Sequence, residues 1–262
     1  MTWIESLILG LIQGLTEFLP VSSSGHLEIG SVLLNVEADE NLLFAVVVHL
    51  ATALATILVF KKDIIIILKE ILQFKWNDST RFVFLILISM IPVFIVGVFL
   101  KDEIESLFVG NLLLVGSMLL ITGLLLFFAH YKKSGNGELG FFSAILIGVA
   151  QAFAVLPGIS RSGATISTAL ILGVERSKAA RFSFLMVLLP IIGASILQLK
   201  DYVDNPSVHQ IGLLPLIIGF IASFVSGFIA CKWMLRIVKQ GKLTYFAFYC
   251  LIVGFIAIIS SI

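Results

Sequence analysis

Gln13-Gly-Leu-Thr-Glu17-Phe-Leu-Pro20-Val-Ser22-Ser23-Ser24-Gly25-His26 is the stretch that decides how this chain folds, because it comes back. In Gln151-Ala-Phe-Ala-Val-Leu-Pro157-Gly158-Ile-Ser160-Arg161-Ser162-Gly163-Ala-Thr165, the residues Gln151, Ser160, Ser162 and Gly163 repeat Gln13, Ser22, Ser24 and Gly25 at a constant offset of 138 positions. Each copy interrupts an apolar segment, at Pro20 in one and at Pro157-Gly158 in the other. The copies diverge where chemistry would sit. Ser23 corresponds to Arg161, His26 to Ala164 and Leu27 to Thr165. One copy carries a carboxylate, hydroxyls and an imidazole; the other carries a guanidinium and hydroxyls.

The surrounding chain is lipid-soluble. Of its 262 residues 59% are hydrophobic and 13% charged, with a mean hydropathy of +1.12. That composition excludes a soluble domain and specifies an all-α polytopic membrane protein. Six stretches, about 42–60, 82–100, 111–129, 182–199, 211–231 and 243–262, are long enough to cross as helices, since about 20 residues at roughly 1.5 Å each span the hydrocarbon layer. The interrupted segments, about 3–36 and 141–174, carry the repeated element. The first lacks a basic leader and holds Glu5, Gln13 and Glu17, so it is expected to stay in the mature protein. Cys231 and Cys250 fall in or beside predicted spans without metal-ligand spacing and read as unpaired apolar side chains. No nucleic-acid partner is expected of such a chain.

Charge placement orients the spans. Lys61, Lys62, Lys69, Lys75 and Arg81, then Lys132 and Lys133, then Arg176, Lys178 and Arg181, then Lys232, Arg236, Lys239 and Lys242 mark four cytoplasmic connections. The connections holding Glu37, Asp39 and Glu40, Asp102, Glu103 and Glu105, and Asp201 and Asp204 are acidic and belong outside. Threading the chain through these sides makes 141–174 enter and leave on one side. Each repeat is then a re-entrant broken hairpin followed by three full spans. Three is odd, so the halves, about 1–131 and 139–262 of a single membrane domain, should be inverted about an axis in the membrane plane. Irregular backbone at that depth needs protein or a water-filled cavity beside it, so the two broken tips should meet. The charged stretch 63–74 is too short to span and should lie on the cytoplasmic surface.

Gln13 and Glu17, four residues apart, share one helix face. A carboxylate within a span costs several kcal/mol unless it meets a partner or water. Glu17 is therefore either a site residue or a buried hydrogen-bonding pin. Ser22, Ser23, Ser24 and Gly25 offer hydroxyls and open backbone at a half-helix start, where N–H groups suit an anion. Ser22 reads first as a helix cap. Serine beside His26 also fits an activated nucleophile and its base. Arg161 stands away from both predicted membrane surfaces, with Ser160, Ser162, Gly163 and Thr165 about it. Its planar fork suits phosphate oxygens; a buried pair with Glu17 is the alternative. His49 and Glu28 read as hydrogen-bonding within the bundle, and His130 with Tyr131 as an interfacial anchor.

QGLTEFLPVSSSGH (13–26) and PGISRSGAT (157–165) resemble the two signature motifs of the undecaprenyl-diphosphate phosphatases, the bacitracin-resistance protein family of bacterial inner membranes. The likeness extends over nearly the whole chain, through LFAVVVHLATALA (43–55) and AARFSFLMVLLP (179–190). It implies removal of one phosphate from the polyprenyl diphosphate carrier that cell-wall synthesis reuses, with a divalent cation, Mg2+ or Ca2+. By position it places the family's acidic motif on Gln13 and Glu17, its functional serine and histidine on Ser23 and His26, and its phosphate-binding arginine and threonine on Arg161 and Thr165. Gln13 stands where some members carry a second glutamate, and Tyr249-Cys250 where many have Tyr-Arg. Another lipid phosphatase class needs an Arg-Pro dipeptide and a later His-x3-Asp, and this chain has neither.

The expected protein is an integral membrane phosphohydrolase, its site open to the outer face. Ser23 attacks phosphorus, His26 serves as base and then acid, Arg161 takes up charge, and a divalent ion sits near Glu17. His26 as nucleophile, or a water activated by Glu17, stays open. Gln13, Ser22, Ser24, Gly25, Ser160, Ser162, Gly163 and Thr165 complete the expected phosphate pocket. Membrane lipids and the polyprenyl diphosphate are the partners, with a homodimer allowed. A secondary transporter or flippase is the rival, because inverted broken helices are also a carrier signature.

Overall fold

Thr2 starts the first helix by a reciprocal cap: its hydroxyl accepts from the Glu5 N–H at 3.3 Å and its own N–H donates to the Glu5 carboxylate at 2.7 Å. Helix α1 (Trp3–Phe18) ends where Leu19 turns extended, as a residue ahead of proline is pushed to do. The computed structural model of the chain describes residues 1–36, 38–100, 111–132, 135–204 and 211–261, and the side chains of all of these but 38–42 and 197–204. Within them the remaining helices are α2 (Ser23–Leu34), α3 (Ala38–Val59), α4 (Lys61–Ile71), α5 (Asp78–Phe99), α6 (Leu112–Tyr131), α7 (Phe141–Phe153), α8 (Arg161–Ile171), α9 (Arg176–Met186), α10 (Leu188–Asp204), α11 (Leu213–Gln240) and α12 (Thr244–Ile259). Among the described residues there is no strand, only an isolated bridge between Gly137 and Val174. The chain is an all-α, multi-pass membrane protein.

Among the described residues four helical segments are long and apolar enough to cross: Asp78–Phe99, Leu112–Tyr131, Arg176–Ile196 and Leu213–Gln240. A fifth, Leu43–Val59, runs into α4 through a bend of 75°. That bend sets the stretch expected at 63–74 apart from the span before it, as a helix that Lys61, Lys62 and Asp63 open with charge. The expected span at 243–262 forms as the 16 residues of α12, shorter than anticipated. Large apolar side chains such as Phe94 on α5, Phe128 on α6 and Phe248 on α12 stay more than half exposed, which hydrocarbon permits and water would not.

Three helix starts recur at the same offset of 138: Trp3, Ser23 and Ala38 are followed by Phe141, Arg161 and Arg176. Both broken segments are as predicted, α1 and α2 around Pro20 and α7 and α8 around Pro157-Gly158. Packing crosses between the halves, with α1 against α11, α7 against α5 and α6 against α12. These contacts are backbone-close. A Cβ on Gly10 of α1 would come within 2.6 Å of the Gly219 carbonyl oxygen on α11, and one on Gly148 of α7 would collide with the Ser89 carbonyl on α5. Phe18, Phe182, Leu126, Ile147 and Met234, from both halves, bury into one core. The acidic connection at 102–105, the side chains of Asp39, Glu40, Asp201 and Asp204, and Glu37 and Lys133 lie outside the described set.

Candidate active site

Two serine caps set the tips. Ser22 Oγ accepts from Gly25 N at 3.3 Å and Ser160 Oγ accepts from Gly163 N at 3.0 Å. Capped this way, α2 and α8 start at Ser23 and Arg161, which places these two side chains on the first turn of each half-helix. The tips pack on one another. Ser162 Oγ donates to the Leu19 carbonyl at 3.3 Å, and a Cβ on Gly25 would stand 3.1 Å from Gly158 Cα. Thr122 of α6 clasps the second tip, donating to Gly158 O at 3.1 Å and accepting from Ser160 N at 3.0 Å.

Glu17 is the hub between them. Its side chain is 6% exposed. Oε1 accepts from Arg161 Nη2 at 2.6 Å, and Oε2 accepts from Ser23 Oγ at 2.6 Å and from Gln13 Nε2 at 2.9 Å. His49 Nε2, from α3, stands 3.7 Å from Oε2. A carboxylate that gathers a cation and two neutral donors from three helices is well satisfied despite its depth. Arg161, at 26% exposure, keeps an open side. Glu17, Ser23, Ser24, His49, Gln151, Ser160 and Arg161 line a cavity of about 350 Å³, whose other walls are apolar apart from Ser195: among them Val93 from α5, Val155 beyond α7, and Ile191 and Ala194 from α10.

Of the sequence-predicted residues, Glu17, Ser23, Ser24, Ser160 and Arg161 reach this cavity. Ser22, Gly25 and Gly163 are used in caps and tip packing, and Ser162 holds Leu19. Thr165 does not line the cavity. It is buried behind Arg161, donating to the Arg161 carbonyl at 2.8 Å and bonded to Ser183 Oγ at 2.6 Å. His26 also turns away from the expected partner. Nδ1 lies 2.8 Å from the Ser22 carbonyl oxygen and Nε2 lies 2.8 Å from Tyr249 Oη. The base within reach of Ser23 is Glu17. His49 and Gln151 line the cavity without having been read as site residues. Gln151 was legible as the counterpart of Gln13; His49 carried only the signal that an imidazole within a span needs a reason.

The donors suit a hard cation in part. Gln13 Oε1 is buried without a hydrogen-bond partner, one helical turn from the Glu17 carboxylate. Among the described residues no group of three His, Cys, Asp or Glu could hold a metal. A cation here would draw most of its oxygen ligands from substrate phosphate and water, as Mg2+ commonly does.

The chain is 54% identical to an undecaprenyl-diphosphatase of Bacteroides fragilis over 263 residues, covering 100% of this chain and 99% of that one. It is 52% identical to one from Parabacteroides distasonis, covering 98% of each, and 44% identical to one from Carboxydothermus hydrogenoformans, covering 95% of this chain and 94% of that one. The family model described as bacitracin resistance protein BacA matches residues 6–256. With the family model spanning both tips and every element between them, the chain belongs to the bacitracin resistance protein BacA family.

Proposed function

We propose that the protein hydrolyses undecaprenyl diphosphate to undecaprenyl phosphate and inorganic phosphate. The observation that carries this reading is the single carboxylate of Glu17, held at 2.6 Å by Ser23 Oγ on one oxygen and at 2.6 Å by Arg161 on the other. A hydroxyl on a carboxylate is a nucleophile with its base, and a guanidinium beside them is a site for phosphoryl oxygens. In the reaction, the terminal phosphate takes up Arg161, whose planar fork has donors to spare. Glu17 accepts the Ser23 proton as the Oγ–P bond forms and the bridging P–O bond breaks, releasing undecaprenyl phosphate. Water then attacks the phosphoserine, and the proton held at Glu17 returns to Ser23 as inorganic phosphate leaves. The apolar walls at Val93, Ile191 and Ala194 suit the first isoprene units. A divalent cation held by Glu17 and the Gln13 amide oxygen would supply further positive charge to the diphosphate. A pure carrier has no use for a serine donating to a buried carboxylate, so the phosphatase is favoured over a transporter.

The test is phosphate release from undecaprenyl diphosphate by the purified protein in detergent. Wild type should turn over, and Ser23→Ala should lose at least about a hundredfold, the scale of a positioned acid–base contribution. Ser23→Ala at more than about a third of wild-type rate removes Ser23 as nucleophile, a change well under 1 kcal/mol in barrier.

The halves, about 1–131 and 139–262, are on this reading inverted about an axis in the membrane plane, with the site open to the outer face of the bacterial inner membrane. The recurring helix starts and the exchanged packing of α1 on α11 and α7 on α5 support it. A cysteine in place of Asp102 should then be labelled by an impermeant thiol reagent from outside, and one in place of Lys133 should not. Labelling of both from one side would refute the inversion.

A further inference from the structure

The two tips solve one geometric problem differently. Each must turn its chain sharply before a half-helix starts, and the second tip does so with Gly158 at φ +96°, a conformation glycine adopts freely. The corresponding residue of the first tip is Pro20, whose ring fixes φ near −65° and forbids that turn. The left-handed conformation falls instead on Ser22, at φ 70° and ψ 98°, while its counterpart Ser160 is ordinary at φ −74°. A non-glycine residue persists there only where its surroundings hold it.

What holds Ser22 is His26. The Ser22 carbonyl oxygen accepts from the His26 backbone N–H at 3.1 Å and lies 2.8 Å from His26 Nδ1. A carbonyl cannot donate, so Nδ1 carries the hydrogen; in the neutral ring Nε2 then bears the lone pair. Tyr249 Oη, at 2.8 Å, donates to it, and the two rings stack with centroids 5.5 Å apart at 14°. In the second tip the position of His26 is Ala164, whose backbone N–H makes the matching bond to the Ser160 carbonyl at 2.7 Å but which has no ring to add a second donor. The strained serine and its brace occur together in one tip and are absent together from the other.

We infer that Tyr249, resting on the reading that Ser23 is the nucleophile, is a positioning residue that acts through His26 to hold Ser22 left-handed and thereby aim Ser23 Oγ at Glu17. Tyr249 comes from α12, in the opposite half of the chain from the serine it serves. Its hydroxyl selects the His26 tautomer that donates to Ser22. Loss of that hydroxyl frees the imidazole to turn, and Ser22 to relax.

A kinetic cycle tests this, because glycine at position 22 makes the left-handed turn without a brace and remains a serviceable cap. Tyr249→Phe should lower kcat about tenfold, inside the hundredfold that a 1 Å misplacement can cost, with KM within about twofold. In a Ser22→Gly background the same substitution should cost less than about twofold, the non-additivity expected of coupled residues. Equal losses in the two backgrounds, or no loss in either, would overturn the inference, and unchanged thermal melting of Tyr249→Phe excludes misfolding as the cause. The 15N imidazole shifts of His26, assigned against His26→Gln in histidine-labelled protein, give a readout independent of turnover. They should report the Nδ1–H tautomer in wild type and its loss in Tyr249→Phe; an Nε2–H tautomer in wild type sinks the brace. If wild type releases no phosphate at all, the phosphatase reading fails, while the tautomer still decides the Tyr249 contact.

Discussion

Glu17→Gln should reduce kcat/KM for undecaprenyl diphosphate by about a thousandfold, at the upper middle of the range for a positioned general base. The amide is nearly isosteric but accepts no proton from Ser23. It also cannot hold Arg161, Ser23 and Gln13 together on two oxygens, as the carboxylate does. Stability should change much less. Arg161 is 26% exposed and can hydrate once its partner is neutral, so the loss should stay below the about 3–5 kcal/mol of breaking a fully buried pair. Activity measured alongside thermal melting separates the two effects. A variant that keeps a tenth of wild-type turnover would show that Glu17 is a structural pin and not the base.

Arg161→Lys should cost about a hundredfold in kcat. Charge is conserved, but the ammonium is a point donor, where the guanidinium spans Glu17 and the substrate with one planar fork. The loss expected for removing a preorganised donor to a developing oxyanion is of this order. Arg161 lies on Glu17 at 2.6 Å, so the substrate must compete with a carboxylate for it, and a lysine held by the same carboxylate has no second donor edge to offer. Saturation kinetics should accordingly show a fall in kcat larger than any rise in KM. Retention of more than about a third of wild-type activity would end the assigned role.

The membrane class and the two broken hairpins were legible because each rests on local pattern: apolar runs of span length, and Pro20 and Pro157-Gly158 inside them. The meeting of Glu17 with Arg161 across 144 positions was legible for an energetic reason, since each is an ionisable group within an apolar segment and needed a partner. The direction of His26 was not. It depends on whether the chain turns left-handed at Ser22, which follows from Pro20 occupying the place of Gly158 and becomes visible only when the two tips are compared as backbones. The family likeness carries His26 and Thr165 over as functional residues, and in the structure both sit one contact behind the cavity, on Ser22 and on the Arg161 carbonyl. The approach of His49 to 3.7 Å from Glu17 was also hidden. It depends on how α3 rotates against α1, a packing detail that an apolar run of near-uniform hydropathy does not encode.

The central claim is that Ser23 and Arg161, from two halves of the chain, act on one phosphorus. A structure of the protein with orthovanadate, which takes the five-coordinate geometry of phosphoryl transfer, tests it most directly. The account predicts vanadium bonded to Ser23 Oγ, with the Arg161 guanidinium turned from Glu17 toward the vanadate oxygens and Glu17 left facing Ser23. Vanadate bonded to His26, or bound where Ser23 and Arg161 do not share it, would contradict the account.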